Sequence, residues 1–131
     1  MNLDDTVGIS SESERLHFVK YKGHAVFVID LSNCDSKELM LLLDQVKVSV
    51  SRHERGSLLV LTDFTGTHVD KKIATRMKEV AVLDRPFVKR SAFVGAESLP
   101  HVYYENIKTF SQRELPIFKT REEALEWLVA E

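Results

Sequence analysis

Residues 58–80 read LLVLTDFTGTHVDKKIATRMKEV, a sequence in which an apolar run gives way to helical periodicity. The run at 58–61 is wholly apolar, as in a strand covered on both faces, and Asp63 follows it closely. Thr67 and Asp70 are predicted to cap the next helix. The apolar residues of that helix form one stripe: Val69, Ile73, Met77 and Val80. The segment therefore predicts a buried strand, a polar loop and an amphipathic helix, the repeating unit of an α/β protein.

Strand and helix patterns also precede this unit. Residues 16–21 alternate in polarity and residues 24–31 are nearly all apolar, which predicts two strands. Lys22 and Gly23 separate them, and the glycine supplies the positive φ of a hairpin turn. Residues 35–53 change to helical periodicity and begin with an aspartate followed three residues later by a glutamate, as in a capping box.

The pattern repeats after this unit. Residues 88–95 predict a strand, and Ser98 is predicted to cap a third helix. Residues 116–118 predict a short strand whose proline suits a sheet edge, and Thr120 begins a last helix with a capping box. The stripes predicted for these two helices are Leu99, Val102, Tyr103, Ile107 and Phe110, and then Ala124, Leu125, Trp127 and Leu128.

These patterns together predict an α/β fold. An N-terminal β-hairpin is followed by alternating strand-helix units, which form a mixed, mostly parallel sheet of five strands. Residues 15–131 are expected to form one domain, and residues 1–14, which are polar and acidic, a flexible N-terminal arm. Any ligand site is expected beyond the carboxyl ends of the strands, as in other open α/β sheets.

Composition limits the classes of function. The chain has 131 residues, of which 44% are hydrophobic and 29% charged, as in an ordinary globular protein. Its formal net charge of −2 argues against a nucleic-acid binder. The single cysteine, Cys34, forms no intramolecular disulfide, which is typical of a reducing compartment. With neither a signal-peptide pattern nor a transmembrane segment, the protein is expected in the cytoplasm.

The sequence contains none of the common catalytic or cofactor motifs. It has no G-x-G-x-x-G, Walker or G-x-S-x-G motif and its five histidines are scattered, so we expect no catalytic residues, no cofactor and no metal. Cys34 precedes a predicted helix N-terminus, where a thiolate is favoured, but we interpret it as a small semi-buried side chain. Asp63 is expected to accept backbone N–H bonds from the turn at 65–67 rather than to act as a general base.

Several segments resemble the bacterial SpoIIAA-like proteins. They are the hairpin with Lys22-Gly23, LTDFTG at 61–66, RPFVKRSAFVG at 85–95, LPIF at 115–118 and EEALEWL at 122–128. That family belongs with the STAS domains and has a looser likeness to the CRAL-TRIO lipid-transfer proteins. The resemblance covers most of the chain and implies a SpoIIAA-like (STAS) fold with a role in regulation or binding rather than in catalysis.

One loop departs from the STAS pattern. STAS antagonists of anti-sigma factors resemble one another in an Asp-Ser-Ser/Thr-Gly loop, in which the first hydroxyl residue after the aspartate is phosphorylated. This chain has Asp63-Phe64-Thr65-Gly66, so Phe64 occupies the phosphorylatable position. Thr65 and Thr67 keep hydroxyls in the same loop and are the candidate phosphorylation sites.

The loop also opens a helix whose first N–H groups favour an anion, and a basic stretch follows it. We therefore predict a ligand- or partner-binding surface made of Asp63, Thr65, Gly66, Thr67, His68, Lys72 and Arg76.

Three functions compete at this point. The first is a non-enzymatic STAS-like regulatory or protein-interaction module of a bacterial cytoplasm. The second is a small-molecule or lipid-binding carrier that uses an apolar pocket at the carboxyl ends of the strands, and the third is an unrecognised hydrolase or transferase built on Asp63, Thr65, Thr67 and His68. The expected partners are a protein or a small anionic or lipid ligand, with peripheral membrane contact as a further alternative. A homodimer is predicted from half-apolar strand faces: His17, Val19 and Tyr21, and Lys89, Ser91 and Phe93.

Overall fold

A computed structural model describes residues 14–130, so residues 1–13 of the predicted N-terminal arm lie outside the described residues. The strands are β1 (Leu16–Tyr21), β2 (His24–Asp30), β3 (Leu58–Asp63), β4 (Val88–Val94) and β5 (Ile117–Phe118). The helices are α1 (Ser36–Val50), α2 (Lys71–Asp84), α3 (His101–Ser111) and α4 (Arg121–Val129). Single 3-10 turns follow α2 at Arg85–Phe87 and β4 at Ala96–Ser98.

The five strands form one sheet in the order β1-β2-β3-β4-β5. The β1–β2 pair is antiparallel and the other three pairs are parallel. Lys22 and Gly23, between β1 and β2, have φ angles of 49° and 83°, and two consecutive positive φ values are typical of a type I′ hairpin turn. The predicted α/β fold, with its N-terminal hairpin and its mostly parallel five-stranded sheet, is confirmed.

Helices cover both faces of this sheet. Phe27 and Val60 pack in one core with apolar residues of α1, α2 and α3, as expected when successive crossovers share one hand. Val28 and Leu61 point the other way and pack in a second core with Ala124 of α4. Because β2 and β3 lie between two cores, both faces of each strand are apolar.

Three helix caps confirm the sequence analysis, and two correct it. Asp35, Asp70 and Thr120 each accept a hydrogen bond from the backbone N–H three residues later. The prediction that Thr67 also caps α2 is wrong, because α2 begins at Lys71 and Asp70 is its N-cap. The prediction for Ser98 is wrong too, since it ends a 3-10 turn and α3 begins only at His101.

The burial of side chains in α3 and in β4 differs from what the sequence analysis predicted. Val102 and Phe110 of α3, predicted to face the core, are 59% and 61% exposed, because this outermost helix of its layer buries few of its residues. Ser91 and Phe93 of β4 are buried, so β4 does not offer the half-apolar surface inferred for a dimer contact. The homodimer itself stays a prediction.

Candidate functional site

Two aspartates lie side by side where neighbouring strands end. Asp30 and Asp63 are the last residues of β2 and β3, and they are register partners in the sheet. Asp30 Oδ1 accepts hydrogen bonds from the backbone N–H (3.0 Å) and the hydroxyl (2.5 Å) of Ser32. Asp63 Oδ1 does the same with Thr65, at 2.9 Å and 2.6 Å. The two strand ends therefore close into matching Asp-x-Ser/Thr turns.

A single arginine connects the two turns. Arg121, the first residue of α4, donates from Nε to Asp63 Oδ2 at 2.8 Å, and its Nη2 lies 3.3 Å from Asp30 Oδ1. Partial burial disfavours the charged form of Asp30, but the Ser32 hydrogen bonds and the charges of Arg121 and Arg15 outweigh it and lower the pKa of this carboxyl. Both carboxylates thus have fixed hydrogen-bonding partners.

Thr67, in the loop after β3, is hydrogen-bonded to the loops after β2 and β4. Its side chain is fully buried, and its hydroxyl donates to the Leu31 carbonyl and accepts from the Cys34 backbone N–H at 3.1 Å. The carbonyl of Thr67 accepts from the Ser98 hydroxyl. Thr67 therefore joins the loops that follow β2, β3 and β4, and both hydrogen bonds of its buried hydroxyl are made to the backbone.

Phe64 and Cys34 also lie inside the core. The Phe64 ring is 1% exposed and packs edge-to-face on Phe93, with ring centroids 4.9 Å apart. The position phosphorylated in STAS antagonists therefore carries a core side chain here. Burial raises the pKa of the Cys34 thiol to about 11, so the thiolate expected near a helix N-terminus is not favoured.

The predicted site residues separate into buried and exposed groups. Asp63 and Thr67 are buried, whereas Thr65, Gly66, His68 and Lys72 are exposed.

Helix α2 begins shortly after the 63–68 loop. Together with α1 it forms a surface groove of about 490 Å³. This groove is lined by Met40, Lys71, Lys72, Thr75, Arg76 and Glu79. Arg76 already pairs with Asp44 of α1 and Glu79 of α2, so the groove's unpaired cations within residues 14–130 are Lys71 and Lys72.

An interior cavity lies between the sheet and α1, α2 and α3. Its volume is about 50 Å³, and most of its lining is apolar, including Leu43, Met77 and Phe93. Two charged residues, Asp84 and Arg113, also reach it, and burial raises the pKa of Asp84 to about 7. A space of this size is too small for an acyl chain.

The comparisons with known proteins bear on the fold. No family model and no curated protein matches the chain. The fold is similar to that of an uncharacterized protein of the DUF3478 family from Shewanella loihica PV-4, whose crystal structure is described as having a SpoIIAA-like fold. The TM-score is 0.65, and the match covers 86% of this chain and 91% of that chain at 14% sequence identity. This chain has a SpoIIAA-like fold. The fold implied by the sequence resemblance is therefore confirmed.

Within this SpoIIAA-like fold, the sequence analysis missed Asp30, Ser32 and Arg121. The repeated Asp-x-Ser/Thr pattern at two strand ends was the signal for the first two. No local pattern connects Arg121 with Asp63, which lies 58 residues earlier. In the part of the chain that the structure describes, no helix is long and apolar enough to cross a membrane, and no three His, Cys, Asp or Glu side chains are grouped to hold a metal ion.

Proposed function

We propose that this protein is a non-enzymatic, STAS-like interaction module of a bacterial cytoplasm. It binds an acidic segment of a protein partner across the exposed part of the 63–68 loop and the adjoining α1–α2 groove. The observation that carries this proposal is the charge of the groove, where Lys71 and Lys72 are exposed and have no ion-pair partner among the described residues. A groove with unpaired lysines favours a partner with carboxylates.

The contacts of Asp63 support a binding role over catalysis. A general base needs a lone pair that can reach a substrate proton. Asp63 is buried, with one oxygen engaged by Thr65 and the other by Arg121. Asp30 is engaged by Ser32 and Arg121 through Oδ1. These bonds stabilise the loops, and they favour a structural role for the Asp63 carboxylate over that of a general base.

The packing of the loops supports a preformed binding surface. Thr67 ties three loops together, and Gly95 fits so closely that an added Cβ would lie 2.8 Å from the Thr65 backbone nitrogen. A surface held in this way loses little conformational entropy when a partner binds.

The carrier alternative has less support. It requires an apolar pocket large enough for a small molecule or an acyl chain, and pockets for drug-sized ligands are about 300–1,000 Å³. The interior cavity of about 50 Å³ is well below that range. A carrier that used this cavity would require the helices to move away from the sheet.

Affinity capture from the source organism tests the proposal. The tagged wild type is compared with a Lys71→Glu/Lys72→Glu variant and with Lys20→Glu, a control at an exposed lysine of β1. We expect one partner to be enriched by the wild type and the control and reduced at least tenfold with the double variant. The purified partner should then bind the wild type in a calorimeter. If the double variant retains every captured protein, this surface is not the docking site.

Native mass spectrometry of the protein isolated from the same organism tests the alternative. A stoichiometric bound lipid or metabolite would favour the carrier, and a mass matching the bare chain supports the interaction module.

A further inference from the structure

A second polar cleft lies at the end of the sheet opposite the 63–68 loop, where β4 begins. Its volume is about 220 Å³, and its lining includes four cationic side chains: Arg85, Lys89, Arg90 and Arg113. Glu114 is the carboxylate among the lining residues. Because β4 runs parallel to β3, the amino end of β4 is remote from the 63–68 loop, which follows the carboxyl end of β3.

Two of these cations are held in place by carbonyl groups. Arg90 Nη1 donates to the Trp127 carbonyl at 3.0 Å and to the Ala130 carbonyl, and its guanidinium lies 5.5 Å from the centre of the Trp127 ring. Arg113 Nη1 donates to the Ala81 carbonyl at 3.2 Å. A guanidinium has five N–H donors, so each arginine keeps donors for a ligand while its position is fixed.

The other two cations are exposed and have no ion-pair partner within residues 14–130. Arg85 lies in the 3-10 turn before β4. Lys89 lies at an irregularity of the β3–β4 ladder, where the register passes from Leu58↔Val88 to Leu59↔Arg90. A bulge of this kind turns side chains away from strict alternation, which brings Lys89 and Arg90 to the same cleft.

Within residues 14–130, the carboxylates near the cleft do not balance this charge. Burial raises the pKa of Asp84, the carboxyl whose charge acts on Arg113, to about 7. Near neutral pH a substantial fraction of Asp84 is therefore uncharged. Cations brought together without enough anions repel one another, so a bound anion stabilises the arrangement.

We propose that this cleft binds a phosphate dianion, either free phosphate or the phosphate group of a small ester. Arginines present paired N–H donors that match phosphate oxygens, and Lys89 adds a point charge. The cleft's volume is below the range of pockets for drug-sized ligands, which favours a compact ester. The proposal is independent of the partner surface, because no residue of the 63–68 loop lines the cleft.

The chain supplies its own reporter for this binding. Trp127 is the single tryptophan, lines the cleft and contacts Arg90. Its fluorescence is followed while inorganic phosphate or glycerol 3-phosphate is added, with sodium chloride keeping the ionic strength constant. We expect the fluorescence to change in a saturable way with each compound. The compound with the lower dissociation constant shows whether the cleft prefers free phosphate or a phosphate ester.

The variant Arg85→Gln/Lys89→Gln should bind at least tenfold more weakly, and Lys89→Gln alone should show part of the loss. Lys37→Gln, at an exposed lysine of α1, is the control and should bind like the wild type. A fluorescence change no larger than that caused by sodium chloride alone overturns the proposal. So does unchanged affinity in a double variant whose thermal unfolding shows that it is folded.

Discussion

Gly95 packs directly against Thr65. A Cβ at residue 95 would lie 2.1 Å from Thr65 Oγ1 and 2.8 Å from the Thr65 backbone nitrogen. The φ of Gly95 is also +66°, a value that side chains other than glycine rarely adopt. The loop after β4 therefore approaches the candidate site as closely as a glycine allows.

Gly95→Ala is expected to destabilise the protein by more than about 2 kcal/mol, since backbone strain and a clash with backbone atoms add together. Gly56 provides a matched control, because its φ is +67° and nothing lies within 4 Å of an added Cβ. Gly56→Ala should cost only about 1 kcal/mol from the backbone strain. Urea unfolding of both variants measures the difference in stability. Equal unfolding midpoints would contradict the close packing of Gly95 against Thr65.

Thr67→Val is expected to destabilise the protein by about 1–3 kcal/mol. The valine keeps the shape of threonine but leaves the Cys34 N–H and the Leu31 carbonyl without the hydroxyl that bonds them. Thr67→Ser keeps that hydroxyl and should cost less. If the two variants have the same free energy of unfolding, the hydrogen bonds of Thr67 do not explain its burial.

Arg121→Gln is expected to lower the free energy of unfolding by about 1–2 kcal/mol, since buried Asp63 loses its cation while the partly exposed arginine limits the effect. Lys119→Gln, at an exposed neighbour, is the control and should be nearly neutral. A double-mutant cycle with Asp63→Asn gives the coupling free energy of the pair. A coupling near zero contradicts the role assigned to this contact.

Asp84 is expected to make stability fall as pH rises from about 4 to about 7. Burial raises its folded-state pKa from 3.8 to about 7, so between these values the folded chain binds the extra proton and the unfolded chain does not. The stability that Asp84 contributes is present below its unfolded pKa and is lost as pH approaches 7, by about 2–4 kcal/mol.

Asp84→Asn removes this titration. Relative to the wild type, the variant should therefore gain stability from about pH 4 to about pH 7, and the difference should level off above pH 7. Chemical unfolding of both proteins across this range provides the measurement, and parallel pH profiles would mean that Asp84 ionises as an ordinary exposed aspartate.

Much of the fold was predictable from the sequence because its signals are local. The type I′ turn at Gly23 and the cap formed by Asp70 depend on residues no more than four apart. The buried stripe of α2 follows from helical spacing alone, as Ile73 and Met77 illustrate. The carboxyl edge was predicted as the place of the site from the alternation of strands and helices.

The sequence by itself determined the alternation of strands and helices, the hairpin and the loop that carries Asp63 and Thr65. Only the tertiary structure decided that Arg121 bridges two aspartates and that Thr67 is a buried connection between loops. Capping, turns and periodicity act within a few residues, so a single segment contains their full cause. Which distant side chains meet depends instead on how the strands order in the sheet and which face each helix covers, and these are properties of the whole packed chain.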